Sequence, residues 1–347
     1  MRIAILGAGA VGRASAAYLL TRGHEPVIWS PSGKSVSAFR DGPLAAAGEI
    51  VGEFRLAIAD SAEAALQGAE LVMVALPANG HRMVYEEIAQ HASPGQVIVI
   101  SAQPVLGAFA LQSRLRQVGK ANVILAWGTT LLRSRQVGAS GVRINTIRKS
   151  VDMAPLPSEA DAAIAVCRTA FGDKFDVRPD MLAISLTNIN PQAHLALALT
   201  NFTRMERGET WGQSENLTSG VARFLERLDG ERLALARKLG LSVRSMAEHY
   251  HRTYGFPIAS LEAMAAEIRT EGTGQLGPMT EQSRYVLEDA PFGLASLIRL
   301  GRAVGADMVL HEAGLAILSA LYGRDFDSEN DLLVDISSLL EGLAEQA

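Results

Sequence analysis

Short, continuously apolar runs separated by helix-length stretches fill the first half of this 347-residue chain. Residues 2–6 form one such run and end in glycines. Residues 14–20 are helical in composition, 26–29 make a second run, and 71–76 a third that stops at Pro77. Residues 97–100 and 123–126 continue the series. Runs without polar alternation suit strands covered on both faces, and strands alternating with helices predict a parallel sheet. Residues 142–152 carry more polar positions and are expected to return along the sheet edge. Ala154-Pro155-Leu156-Pro157-Ser158 is expected to break the pattern.

From about Asp180 the period is helical throughout. Leu217, Val221, Phe224, Leu228 and Leu235 recur on one face of a helix, with Gly240 as its left-handed cap. Leu332, Leu333, Ile336, Leu339, Leu340 and Leu343 describe a terminal amphipathic helix. The pattern predicts an α/β domain over residues 1–183 and an all-helical domain over 184–347. The cleft between them is the natural place for a small substrate.

Gly7-Ala8-Gly9-Ala10-Val11-Gly12 follows the first strand and opens the first helix. In that setting Gly7 makes the tight turn, Gly9 lets backbone approach a pyrophosphate, and Gly12 lets helix and strand pack closely. The amides of Ala10 and Val11 then hold phosphate at the helix start. The first domain is therefore expected to be a Rossmann-type dinucleotide-binding domain. The second strand ends at Ser30-Pro31-Ser32-Gly33-Lys34, where an NAD site usually offers a carboxylate to the ribose. Ser30, Ser32 and Lys34 can donate to a 2′-phosphate instead, which favours NADP(H) over NAD(H). Pro77 and Ala78, after the third long run, are expected to line the same cofactor. His81 beyond them reads as a surface histidine.

A formal net charge of −5 offers no global positive field for nucleic acid or an anionic membrane. The single cysteine, Cys167, cannot form an intramolecular disulfide, and its apolar neighbours suggest a packed residue. The first apolar run is broken by glycines too early for a secretory signal, and no apolar stretch is long enough to span a bilayer. The chain reads as cytoplasmic. No metal is expected.

Two distant segments carry the chemistry. A helix from Asn190 past Asn201 would set Asn190, His194 and Asn201 along one side. Polar groups buried there without partners would cost about 1–3 kcal/mol each, so they need a purpose. The second segment holds Arg284 and Asp289, followed by Pro291-Phe292-Gly293-Leu294. A carboxylate bonded to one imidazole nitrogen fixes the tautomer and frees the other nitrogen for proton transfer. An arginine fork anchors a keto acid. A plain ion pair of Arg284 with Glu281 or Glu288 is equally open at this point.

These segments, with Leu228-Asp229-Gly230-Glu231-Arg232, Asp325-Phe326 and the glycine loop, resemble the octopine/nopaline (opine) dehydrogenase family over nearly the whole chain. The resemblance implies an enzyme that joins an amine to a keto acid by reducing the imine between them. It implies His194 as the acid–base, Asp289 as its partner and Arg284 as a substrate-carboxylate contact. Asn190 and Asn201 stand beside them as substrate-binding candidates. It further implies a helical domain like that of 6-phosphogluconate dehydrogenase-like proteins, and a homodimer. Two other readings stay open. One is an NADPH-dependent keto acid or hydroxy acid reductase of related architecture, which would need a catalytic lysine such as Lys174 or Lys238. The other is a non-catalytic dinucleotide-binding protein.

Overall fold

The apolar runs of the first half form the interior of a mostly parallel sheet. In the computed structural model, which describes residues 1–40, 42–332 and 334–344, the chain divides into two units, Met1–Ser185 and Leu186–Ala347. The expected boundary at residue 183 falls inside the short helix Met181–Thr187.

The first unit runs β1 (Arg2–Leu6), α1 (Ala10–Thr21), β2 (Glu25–Trp29), β3 (Leu44–Gly48), β4 (Gly52–Phe54), β5 (Ala57–Ile58) and β6 (Leu71–Val74). It continues through α2 (His81–His91), β7 (Val97–Ile100), β8 (Ile124–Trp127), β9 (Leu132–Val137), β10 (Gly141–Ile147), β11 (Val151–Leu156) and β12 (Phe175–Val177). One sheet has the order β12-β11-β8-β7-β6-β1-β2-β5. Its neighbours are parallel except β11 against β8. The chain leaves β1 toward β2 on one side and returns as β6 on the other. Loops after β1 and β6 thus adjoin at a topological switch point, where such sheets take their ligands.

The segment 142–152 does not simply follow the sheet edge. β10 joins β3, β4 and β9 in a second sheet, and β11 lies in the main sheet between β8 and β12. In β10, Val142 and Ile144 are buried while Arg143 and Asn145 are exposed, the alternation of a sheet with one dry face. That face packs on α1. Helix α1 is consequently enclosed on two sides, and Gly12 to Leu19 are all buried. β11 also runs through Pro155 rather than stopping before it. β12 accompanies it only as far as Met153, so the proline lies beyond that ladder. Cys167 is fully buried, and burial pushes its thiol up to about 12.

His81 is not at the surface. It is 2 % exposed, with Nδ1 at 2.9 Å from the Tyr85 hydroxyl and Nε2 at 2.9 Å from the Leu76 carbonyl. The first residue of α2 thereby ties down the loop that leaves β6. Burial lowers its pKa to about 4, against a weaker raising effect of the Leu76 carbonyl.

The second unit is helical. It contains α3 (Asn190–Thr200), α4 (Ser219–Lys238), α5 (Met246–Tyr254), α6 (Leu261–Thr270), α7 (Arg284–Leu287), α8 (Ala295–Ala303), α9 (Val309–Tyr322) and α10 (Ile336–Ala344). The buried stripe of α4 is Ala222, Leu225, Leu228, Asp229, Arg232, Leu235 and Ala236. Val221 and Phe224 only flank it, and Leu217 is buried ahead of the helix. The stripe departs from the apolar pattern because Asp229 and Arg232 are buried as a pair. Gly240 has φ +72°, the left-handed geometry expected of it. Leu332 is buried before α10 begins, while Leu333 and the Leu343 side chain lie outside the described residues.

A neutral buried histidine makes stability depend on acid. The unfolded chain takes up a proton below its ordinary value of 6.5, and the folded chain only near 4. The stability is present above 6.5 and is lost as pH falls through that window, by about 3 kcal/mol. Urea unfolding of His81→Gln and the parent at several pH values should give a shallower acid loss in the variant. Parallel profiles would show that His81 titrates normally in the folded chain.

Candidate active site

At the switch point three glycines do different work. Gly7 has φ +122°, and a Cβ there would strike the Ala75 carbonyl oxygen. The glycine loop and the loop after β6 therefore touch. A Cβ on Gly12 would strike the carbonyl oxygen of Gly7, so this glycine lets α1 start close against its own strand. A Cβ on Gly9 meets nothing within 4 Å. Packing within the first unit does not demand a glycine at position 9, whereas an incoming phosphate would. No side chain caps the first turn of α1, which leaves the amides around Ala10 and Val11 for an anion. These residues fit a dinucleotide.

Arg13, which the sequence reading passed over, holds this loop. It is 2 % exposed, and Nε donates to the Ala8 carbonyl at 2.9 Å. Its other nitrogens reach Gly141 and Ser35 carbonyls, each at 3.2 Å. One guanidinium so joins the glycine loop, the second sheet and the turn after β2. Ser30 is buried at the end of β2, and Ser32 and Lys34 are exposed on the turn that follows. Pro77 is exposed at the tip of the β6 loop, while Ala78 is buried within it.

In the helical unit His194 lies mid-helix on α3 and is 9 % exposed. Its Nδ1 is 2.5 Å from Asp289 Oδ2. An ionised carboxylate only accepts, so Nδ1 carries the proton and Nε2 is left for chemistry. Tyr285 stacks on the imidazole with centroids 3.6 Å apart and planes 16° from parallel. Its hydroxyl accepts from Gln213 Nε2 at 2.6 Å. Burial raises the Tyr285 pKa, against donation from Gln213. Neither Tyr285 nor Gln213 was anticipated, because an aromatic beside an arginine looks like ordinary packing.

The Asp289 turn reaches α3 through a single π-turn, Ala290–Leu294. Such turns recur at functional sites. A Cβ on Gly293 would come 2.5 Å from Pro191, so glycine there lets the turn lie against the start of α3. Behind His194, the fully buried Gln192 has Nε2 at 3.1 Å from His311 Nε2, and His311 Nδ1 is 2.6 Å from Glu231 Oε2. Burial alone would raise the Glu231 pKa, but bonds from His311 and the Leu310 amide hold it below the carboxylate range. Arg232 bonds Asp229 and the carbonyls of Leu186 and Arg244, while Asp229 caps α5 at Met246. The Leu228–Arg232 motif thus acts in scaffolding α3 and its neighbours.

Asn190 is exposed one turn before His194. The helix is interrupted at Asn201 and resumes as a short helix over Phe202–Glu206. α3 ends at Thr200, and Asn201 is its buried cap, with Nδ2 donating to the Leu197 carbonyl at 3.0 Å. The short polar side chain competes for backbone at the helix end, so the expected stripe stops at His194. Arg284 has a 65 % exposed side chain, with Nε 3.5 Å from Glu288 Oε2. The surface pair is therefore present, and such a pair is weak enough to be exchanged for another carboxylate. Lys238 donates to the Gly305 carbonyl at the end of α4, and Lys174 belongs to the first unit. Among the described residues, no cluster of three or more His, Cys, Asp or Glu would hold a metal ion. Among the described residues, no helix is long and apolar enough to cross a membrane.

Two family models match the chain. Residues 177–322 match the NAD/NADP octopine/nopaline dehydrogenase alpha-helical domain, and residues 3–157 match ketopantoate reductase PanE/ApbA. The opine dehydrogenase of Arthrobacter sp. (strain 1C) is 31% identical, covering 95% of this chain and 93% of that protein. Octopine dehydrogenase with NADH and L-arginine superposes with TM-score 0.79 at 14% identity, covering 92% of this chain and 89% of that one. Yersinopine dehydrogenase with NADP+ gives 0.76 at 13% identity, covering 99% of each chain. These two structures share the fold.

The glycine geometry separates binding from folding. Gly9→Ala should keep the parent's melting temperature while weakening dinucleotide affinity about tenfold or more, read by titration of intrinsic fluorescence. Gly12→Ala should lower the melting temperature sharply. Equal damage to stability from both would remove the distinction.

Proposed function

We propose, because the chain belongs to the opine dehydrogenase family, a mechanism in which His194 is the acid–base and Asp289 its partner. The protein is an NAD(P)-dependent oxidoreductase acting on CH–NH donors, and it condenses a keto acid with an amino acid by reduction. The His194–Asp289 bond at 2.5 Å is the observation that carries the assignment of roles.

The neutral amine attacks the keto carbonyl to give a carbinolamine, and Nε2 of protonated His194 gives its proton to the hydroxyl, which leaves as water. The resulting iminium takes up hydride at carbon and becomes the secondary amine. A nicotinamide dinucleotide would supply the hydride when bound; Gly9, Ala10 and Val11 would hold its phosphates in the loop that Gly7 and Gly12 shape, and Pro77 and Ala78 would line it from the neighbouring loop. Asp289 keeps the imidazole in the tautomer whose Nε2 faces the reacting atoms, and it stabilises the imidazolium. Tyr285 offers that cation an aromatic face. Arg284 receives the keto acid carboxylate in exchange for Glu288. Asn190, exposed one turn away on α3, contributes a polar contact to substrate, and Asn201 supports that helix from its end.

NADP(H) is the proposed cofactor in preference to NAD(H). Ser30 to Lys34 contain no carboxylate that would repel a 2′-phosphate, and Ser32 and Lys34 are exposed to receive it. The homodimer rests on the family likeness, and light scattering on the purified chain tests it.

His194→Ala should lower turnover by about 10²–10⁴-fold while dinucleotide affinity is kept. Asp289→Asn should be comparably severe, since an amide can hold the wrong tautomer. Full activity in either variant would remove that residue from the mechanism. A matrix of keto acids crossed with amines, read by loss of reduced-nicotinamide absorbance, should give amine-dependent turnover. Run with both dinucleotides, it should give a higher kcat/KM with NADPH than with NADH. Turnover without amine would favour the simple reductase, and an NADH advantage would overturn the cofactor choice.

A further inference from the structure

The His194–Asp289 bond leaves one motion of the imidazole unrestrained. A hydrogen bond at Nδ1 fixes the tautomer and one point of the ring, yet the plane still turns about that bond and carries Nε2 with it. A second contact settles the plane. Tyr285 lies face to face on the imidazole, with centroids 3.6 Å apart and planes 16° from parallel. The ring and the carboxylate come from one segment. α7 passes into the Ala290–Leu294 turn with right-handed helical backbone at Glu288 and Asp289. Four residues along such backbone make about one turn, so Tyr285 and Asp289 leave the same side of the segment. Both reach His194.

The Tyr285 ring is held in turn at its far end. Its hydroxyl accepts from Gln213 Nε2 at 2.6 Å, and the same nitrogen donates to the Leu276 carbonyl at 3.0 Å. The Gln213 amide donates to the Gln275 carbonyl at 2.8 Å. Beside it, Trp211 Nε1 donates to the Pro278 carbonyl at 3.0 Å, and a Cβ on Gly277 would come 2.3 Å from the Trp211 ring. Two loops distant in sequence therefore lock together around Gln213, and the phenol is fixed where they meet.

We propose that Tyr285 is a positioning residue: its ring sets the plane of the His194 imidazole, and Gln213 keeps that ring in register. The inference rests on His194 as the acid–base. The carboxylate sets the tautomer and the aromatic ring sets the plane, so the direction of Nε2 needs both. An aromatic face is electronegative, so the stack persists and strengthens when the imidazole takes up its proton. Nε2 thus keeps one direction through both halves of a proton transfer.

The test uses the intact enzyme, with kcat expressed per dinucleotide-binding site so that an unfolded fraction does not count. Tyr285→Phe keeps the ring and Tyr285→Leu removes it. Tyr285→Leu should lower kcat about 10–10²-fold, as expected for a reacting group misplaced by about 1 Å, with dinucleotide affinity unchanged. Tyr285→Phe and Gln213→Leu, which lose the anchoring bond and keep the ring, should each lower kcat only about threefold. Gln213→Leu added to Tyr285→Leu should change kcat no further, because its effect passes through the ring. Proton NMR supplies a readout independent of turnover. The ring current of Tyr285 should move the His194 Cε1 proton upfield in the parent and in Tyr285→Phe, and the displacement should vanish in Tyr285→Leu. Parent-like kcat in Tyr285→Leu, equal losses in the two Tyr285 variants, or no upfield displacement in the parent would overturn the role of the ring. An additive effect of Gln213→Leu would overturn its role as the anchor. Full activity of His194→Ala would instead overturn the acid–base assignment on which the inference rests.

Discussion

A single hydrogen bond between residues 95 apart in sequence, His194 Nδ1 to Asp289 Oδ2, is the contact on which the chemistry proposed for the helical unit depends. Neither group would be distinctive alone. An imidazole mid-helix among leucines is usually packing, and a carboxylate before a proline is usually a turn. Their approach requires that α3 and the Asp289 turn come closer than ordinary side chains allow. Gly293 removes the side chain that would strike Pro191, and Gly314 removes one that would strike Leu195. The two absent side chains bring α9 and the π-turn against the helix bearing His194. Gln192, His311 and Glu231 then fix that helix from behind through buried polar bonds. Buried polar networks specify an arrangement where their bonds are made and cost stability where a group lacks a partner, as Gln192 Oε1 does.

The α/β unit solves a related problem by the same means. In the proposed dinucleotide site a phosphate approaches bare backbone at Gly9, which faces open space, while Gly7 and Gly12 are needed by the turn and the helix start. Loops built this sparely need support from outside themselves. Arg13 anchors the glycine loop through carbonyls of three separate segments, and His81 anchors the neighbouring loop through Leu76 and Tyr85. Both anchors are ionisable groups buried without a carboxylate bond, an arrangement tolerated because each satisfies backbone or phenolic oxygen.

The main sheet was legible because fully buried parallel strands are continuous apolar runs. β1, β2, β6, β7 and β8 all fall where those runs lie. The second sheet was not. β3 is mostly alanine and β9 mostly polar, so neither presents a run, and α1 is what makes them necessary. His194 and Asp289 were legible through the family resemblance, and their pairing through the chemistry of imidazole. Asn201 was misread because composition does not mark where a helix ends, and a cap differs from an interior residue only in what its side chain bonds. His81 was misread because a histidine after an exposed loop looks solvated until its two partners are known. Tyr285, Gln213 and Arg13 carry no sequence signal of their own. Their roles exist only in contacts between segments distant along the chain.

In the proposed mechanism Asp289 holds the proton of His194 on Nδ1 and leaves Nε2 to exchange with substrate. Nitrogen-15 NMR of histidine-labelled protein observes both ring nitrogens directly. The neutral ring of His194 is expected to carry its proton on Nδ1 and none on Nε2, and Asp289→Asn to abolish this asymmetry. A neutral His194 with its proton on Nε2 in the unmodified protein would contradict it.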